Sequence, residues 1–426
     1  MNSTPSISNG GKPSGFHSPW ILLLGIGLQL ILGLFLGHLF ETRFYMATGY
    51  LVGTGQNPYV PQDLSAVFGN AYFKGISSFG YPPPWALLLG LIYKGVYAAA
   101  PHFLLYNLAL KIPIIAANIA LSYLVSGILG KMGASPEASR RAWVFMLLNP
   151  FLLFASAAWG QIDSVVALLS LLALLRLDSA KWSASALLLA LAVSVKPTAL
   201  PLVPVVLAYL WGRSKPWTMR YLAIFTLSLL LFCASPFIIL GWDPGIILRN
   251  WNAHFIVAGC MSFVSFFELT HNSLFLTGHW RWLGYLWAPA LGVALYALRS
   301  GIADFEDLLR KSLALLLVFF LTRTWMSEPN ILLIIPFILI LTSMGRLDRF
   351  TLTAAWSLPL IFGVFNSSAA MLLFPSMPGT MDKLCAFGET FRTARLSFRT
   401  LVVIPWLIVG WRAAFLCFRK TPAVVS

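Results

Sequence analysis

Between Trp20 and Phe40 the chain holds no Asp, Glu, Lys or Arg. An uncharged apolar run of about 20 residues is long enough to cross a bilayer as a helix, the form that satisfies every backbone amide within the segment. Further apolar runs recur at 82–100, 103–129, 143–158, 162–176, 183–211, 221–241, 282–299, 312–322, 330–345, 351–374 and 400–417. The 183–211 run is long enough to be a broken pair, and two half-length apolar pieces lie in 255–278. The pattern predicts an all-α integral membrane protein: one polytopic domain over residues 1–426, a bundle of about 10 to 12 transmembrane helices. A polar tail, 1–19, precedes the first helix, and an external loop of short helices, 41–80, follows it. The first run is too long for a signal-peptide core, and no small-residue cleavage site follows it. It therefore reads as a retained helix, with Gly33 and Gly37 spaced for close helix approach.

Composition narrows the function. Of 426 residues, 58% are hydrophobic and 10% charged, where a soluble protein carries about 25% charge. A soluble enzyme and a disordered chain are excluded, and four Cys are too few for a disulfide scaffold. The net charge of +15 fits cytoplasmic loops and anionic lipid headgroups better than nucleic acid, and leaves room for a site that holds a phosphate. There is no P-loop, no dinucleotide fingerprint and no His-Glu-x-x-His. Cys233, Cys260, Cys385 and Cys417 lack metal spacing, although Cys260 and Cys385 fall on one predicted side, where they could pair.

Short basic segments at 211–220, 299–311, 346–349 and 419–420 mark the cytoplasmic side. Alternation then places 242–281, 323–330 and 375–399 outside. The last carries Lys383, Arg392, Arg395 and Arg399 against the charge rule, which marks it as a candidate anion site. The N-terminal half does not fit: one crossing each for 82–100 and 103–129 would put Lys131, Arg140 and Arg141 outside. A re-entrant or broken helix between 82 and 211, at Pro113, Pro197 or Pro201, would restore the parity.

Five polar interruptions carry the candidate chemistry. In the first, Glu41 stands where the first helix leaves the bilayer, with Tyr45 four residues on and so on the same helical face. A carboxylate in a partly desolvated cleft is a useful general base; the alternative is an interfacial acid paired with Arg43. The same loop holds Gly53, Asn57-Pro58-Tyr59 and Tyr81-Pro82-Pro83. Next come Asn149-Pro150 and Trp159-Gly160-Gln161-Ile162-Asp163, polar groups between apolar runs that mark either a site or a capping loop. The third is Lys196-Pro197 inside an apolar run, with Lys196 binding a phosphate or pairing with Asp163; Lys111-Ile-Pro113 with Asn118 is a related pattern. Trp242 to His254, then Glu268 and His271, offer aromatic faces and polar groups suited to sugars, while Trp280, Trp282 and Trp287 read as an interfacial belt. Last, Arg323 to Asn330 holds Arg323 and Glu328, either a phosphate-binding guanidinium with its neighbour or an internal ion pair.

An acid at the end of the first helix, Tyr four residues later, Gly-x-x-x-Asn-Pro-Tyr, Tyr-Pro-Pro and then Trp-Gly-Gln-x-Asp resembles the GT-C glycosyltransferases, especially their mannosyltransferase-like members. That resemblance implies a multi-spanning enzyme moving a monosaccharide, mannose above all, from a polyprenyl- or dolichyl-phosphate donor to a lipid-linked or protein acceptor, with inversion. Glu41 would be the catalytic base, in a position where many relatives carry Asp. Tyr45, Asn57, Tyr59, Tyr81, Gln161, Asp163, Lys196, His254, Arg323 and Glu328 would line the substrate site. No metal or other cofactor is needed in this scheme, and the loop has no Asp-x-Asp. The partners implied are membrane lipids, the donor and an unidentified acceptor. The location implied is the plasma membrane in a prokaryote or the endoplasmic reticulum in a eukaryote. A transporter or flippase, which would show paired repeats, and a non-catalytic subunit of a glycosylation complex are the alternative readings.

Overall fold

The computed structural model describes residues 18–76, 79–243, 245, 257–270, 279–366 and 368–419. It is 78% helical, and its two named strands are two residues each. Four helices, Phe103–Lys131, Pro136–Ala158, Lys215–Leu240 and Arg392–Phe418, are long and apolar enough to cross a membrane. Shorter apolar helices include Pro19–Phe35, Trp182–Val195, Pro197–Trp211, Glu328–Ser343 and Arg349–Phe365. The 183–211 run is indeed a broken pair, parting at Lys196-Pro197. Proline opens several helices, at Pro19, Pro83 and Pro136, where its missing N–H costs nothing. Only 11% of the apolar window of Lys215–Leu240 is buried, and Leu227, Leu230, Leu231, Ile238 and Ile239 are exposed. A continuous apolar face of that kind suits lipid tails rather than water.

The helices run between two chemically distinct ends. One gathers the basic segments. Lys131 pairs with Asp178 at 2.5 Å and stands 5.2 Å from the Phe305 ring. Arg213 donates to the Ile302 and Ala303 carbonyls at 3.1 and 2.8 Å, and Arg346 pairs with Glu306 at 2.7 Å. Asp348 caps its helix through the Thr351 amide and binds Arg412. The opposite end gathers the 41–80 loop, the Trp159–Asp163 turn, the Arg323–Asn330 turn and the start of the last helix. There Gly259–Cys260 pairs in parallel with Trp325–Met326, and Gly37 bridges to Leu373.

The expected short helices of 41–80 are Leu39–Gly53, Ser65–Phe68 and a 3-10 turn at Ala71–Phe73. The parity is restored if a segment the sequence treats as a span stays on one side. Pro83–Ile92 continues as a π-helical stretch to Tyr97 and packs alongside Leu39–Gly53. Trp85 meets Tyr45 near its start, with ring centroids 6.0 Å apart. Tyr97 meets Phe68 at 5.7 Å and Tyr106 at 4.8 Å near its other limit. Both limits therefore lie at the loop end, and Phe103–Lys131 starts there and delivers Lys131 to the basic end. None of the three prolines is responsible: Pro113 lies inside a continuous helix, and the Pro197–Pro201 break only divides the 183–211 pair.

In membrane vesicles, an impermeant thiol reagent should label Gln56→Cys and Ala100→Cys from the same side, and Glu137→Cys only from the other. Labelling Ala100→Cys and Glu137→Cys from one side would show that 83–97 crosses.

Candidate active site

One buried amine and three buried amides hold the site's scaffold together. The helix from Pro136 breaks at Asn149-Pro150, where the Asn149 side chain accepts from the Phe151 and Leu152 amides at 3.0 and 3.2 Å and restarts it. The chain then widens into a π turn at Leu153–Ala158 and reverses at Gly160, whose φ is +99°. A Cβ there would sit 3.2 Å from the Lys111 Cε, so glycine serves both the backbone angle and the packing. Lys111 Nζ donates to the Ala158 carbonyl at 2.8 Å and to the Leu36 carbonyl. Asn107 donates to the Gly33 and Leu36 carbonyls at 2.7 and 2.9 Å. These are the unpaired carbonyls left at a helix end. Asn118 donates to Gln29 and Ser156 at 2.8 and 2.7 Å. Lys111 and Asn118 thus act as scaffold.

Glu41 lies in the first turn of Leu39–Gly53, a helix capped by His38. Its Oε1 accepts from Gln161 Nε2 at 2.8 Å, and its Oε2 is 2.5 Å from His38 Nδ1. The His38 ring stacks on Trp159, with centroids 4.4 Å apart and planes 18° from parallel. The Glu41 side chain keeps 16% of its exposure. Burial by itself pushes this carboxyl up; the neighbouring His38 and the nearby Trp159 indole outweigh it and leave the group below its ordinary range. Arg43 donates to the Tyr72 carbonyl at 2.9 Å instead of pairing with Glu41. Tyr45 shares the Glu41 face as expected, and both Glu41 and Asp163 act electrostatically on the Tyr45 and Tyr81 hydroxyls.

Asp163 starts the next helix fully buried. Lys196 Nζ, at the break after Trp182–Val195, reaches its two oxygens at 2.9 and 2.7 Å and stands 5.7 Å from the Tyr81 ring. Of the two roles open to Lys196, the ion pair is the one formed. Asn57 accepts from the Tyr59 amide at 2.9 Å. The Tyr59 hydroxyl donates to the Tyr81 carbonyl at 3.0 Å, while its ring packs on Phe237 and Trp242. Both polar groups are engaged in the loop's own structure. Asp63 is exposed, and hydrogen bonds from the Ser65 hydroxyl and amide hold it below the usual carboxylate range.

The Arg323–Asn330 turn joins the same end. Glu328 is buried and accepts from Asn366 at 3.3 Å; Arg399 donates to Asn366 at 3.0 Å and to Glu268 at 2.8 Å. The charges of Glu328, Glu268, Arg399 and Glu41 all reach the Cys260 thiol, and the His38 charge reaches Glu328. A Cβ at Gly363 would touch both Phe154 and Glu328, so the 150–158 stretch and the Arg323–Asn330 turn lie side by side. The expected alternative of an Arg323–Glu328 pair is not formed: Arg323 lies 5.2 Å from the Phe319 ring and, among the described residues, makes no ion pair. Cys260 and Cys385 are free thiols, so the pairing considered above is absent. His254 and His271 lie outside the described residues. Among the described residues no three His, Cys, Asp or Glu side chains converge as a metal would require.

Beside Asn366 opens a groove of about 590 Å³, walled by Phe365, Phe387, Phe391 and Phe398 with Arg395 on its lining. Sequence reasoning missed His38 and Asn366. The His38-x-x-Glu41 spacing, one helical turn, was the available signal for the first. Arg399 had announced itself by breaking the charge rule. No protein-family model matches the chain, and no curated protein matches it either.

Lys196→Met should destabilise the protein by about 3–5 kcal/mol, because it strands a buried carboxylate. Adding Asp163→Asn should recover part of that loss in thermal unfolding of the detergent-purified protein. Strictly additive losses would mean the two side chains do not depend on each other.

Proposed function

We propose that this chain is a GT-C-like integral membrane glycosyltransferase with ten to twelve crossings, moving a hexose, mannose in the first instance, from a polyprenyl-phosphate donor to an acceptor hydroxyl with inversion. The observation that carries this reading is Glu41: a carboxylate that keeps part of its exposure, with one oxygen against Gln161 and the other against His38, in a loop that sequence alone had singled out. Those two contacts fix its orientation, as a general base needs. The aromatic groove beside Asn366 supports a lipid substrate, since its volume falls within the roughly 300–1,000 Å³ of ligand sites. A prenyl chain would lie among the phenylalanines, with Arg395 at the polar edge of the groove.

In the proposed reaction the acceptor oxygen attacks the anomeric carbon, and Glu41 takes the hydroxyl proton as the new bond forms. The bond from the anomeric carbon to the phosphate oxygen breaks, and its electron pair leaves with the lipid phosphate. Arg323, which has no acid to neutralise it among the described residues, is the guanidinium available for that developing charge. Lys196 is committed to Asp163 and shapes the wall. Tyr45, Tyr81 and Gln161 border the carboxylate.

Protein reconstituted in nanodiscs with radiolabelled polyprenyl-phosphate mannose and a lipid extract as acceptor source should transfer label. Glu41→Gln should lower turnover by about 10²–10⁴-fold, the usual worth of a general base. Glu41→Asp should keep part of the activity, and Asp63→Asn should keep nearly all. Full turnover by Glu41→Gln would remove Glu41 as the base, and loss on Asp63→Asn alone would assign the role to Asp63.

A further inference from the structure

The arrangement around Glu41 contains one group that the proposed reaction does not itself require. His38 places Nδ1 2.5 Å from Glu41 Oε2 and stacks its ring on Trp159. It is buried to 8% exposure, and its backbone amide points to the Trp159 carbonyl at 3.4 Å. Ring plane and main chain are thus both fixed against the turn that also delivers Gln161. The sequence His38-x-x-Glu41 places the two side chains one turn apart at a helix start. A helix N-terminus favours a carboxylate and disfavours an imidazolium, so the helix alone does not recommend histidine at this cap. Asn, Asp, Ser or Thr would cap better.

We propose that His38 is a positioning residue for the Glu41 base: its Nδ1, which the Phe40 amide also approaches at 3.3 Å, holds Oε2 and favours the ionised carboxylate, while Gln161 holds Oε1. The inference rests on the reading of Glu41 as the base and extends it to a group that touches neither sugar nor phosphate. The proton that Glu41 takes from the acceptor returns to solvent once the product has left. Other charged or titratable groups near the pair are Arg43 and Tyr45 on the same helix, Tyr81, Asp163 with its partner Lys196, Glu328 and the Cys260 thiol. All of these remain when His38 alone is replaced, so a change in the titration of Glu41 reports on His38.

The test uses His38→Asn in the full chain, since Asn keeps and improves the helix cap while removing the imidazole. With glutamate labelled with ¹³C at Cδ, infrared difference spectra against Glu41→Gln follow the protonation of Glu41 without any need for turnover. In the wild type the carboxylate band should persist to lower pH. In His38→Asn burial meets less opposition, so the protonated band should persist to higher pH than in the wild type. In the transfer assay the acid limb of the kcat/KM profile should move up by the same amount, with activity recovering toward high pH. Coincident infrared titrations in wild type and His38→Asn would overturn the proposal. So would a turnover loss equal at every pH, which is what a purely structural role gives. An infrared shift in a protein that transfers no sugar in any form would uphold the coupling and reject the glycosyltransferase reading, so the two fail separately.

Discussion

One lysine amine sets the geometry on which the rest depends. Lys111 binds the Leu36 and Ala158 carbonyls, which close two different helices just before His38 and Trp159. Fixing those two chain ends against each other places His38 over the indole and Glu41 against Gln161. A single charge inside a membrane protein is costly unless it finds partners, and here the partners are backbone groups that would otherwise go unsatisfied. The result is a hinge point without freedom, from which the loop helix and the Trp-Gly-Gln turn depart in set directions.

The three buried acids at this end are compensated differently, and the differences sort their roles. Asp163 receives a full ammonium through both oxygens and has no exposure, so it belongs to the wall. Glu328 receives an amide, which in turn is held by an arginine committed to Glu268. Glu41 receives one neutral amide and one imidazole and keeps an open flank. Only the last combination leaves a carboxylate both oriented and reachable. A fully paired acid at the same place would be fixed but inert.

Much of the fold was legible because hydrocarbon imposes long apolar runs and basic loops, and both survive in one dimension. In the C-terminal half the basic loops separated from the opposite end by charge alone, whereas in the N-terminal half charge left the sidedness open. The motifs of the site were legible for a related reason: Glu41, Gln161, Asp163, Lys196 and Glu328 interrupt apolar sequence, and such interruptions are expensive. Partnerships were harder to read. Lys196 had two plausible tasks, and distance alone assigned the ion pair. His38 hid at the edge of an apolar run, where a single histidine reads as an interfacial cap. Asn366 is one of many amides near helix ends, and nothing in its neighbourhood distinguishes it until Glu328 and Arg399 are folded against it. Pro83–Tyr97 reads as a span because hydropathy records what a segment would tolerate, whereas its packing against Leu39–Gly53 appears only in the fold.

That last segment has a consequence for biosynthesis. Pro83–Tyr97 is greasy enough to be mistaken for a span as it emerges, yet the finished protein needs it parked beside the first loop. If the insertion machinery committed it across the bilayer, every later helix would be threaded with opposite sense, and the basic loops would be drawn to the wrong compartment. Its brevity and Lys94, close to its far limit, work against such commitment. The orientation of everything downstream therefore hangs on how this one short helix is inserted, and lengthening it by a single apolar turn would be a more drastic change than most substitutions in the core.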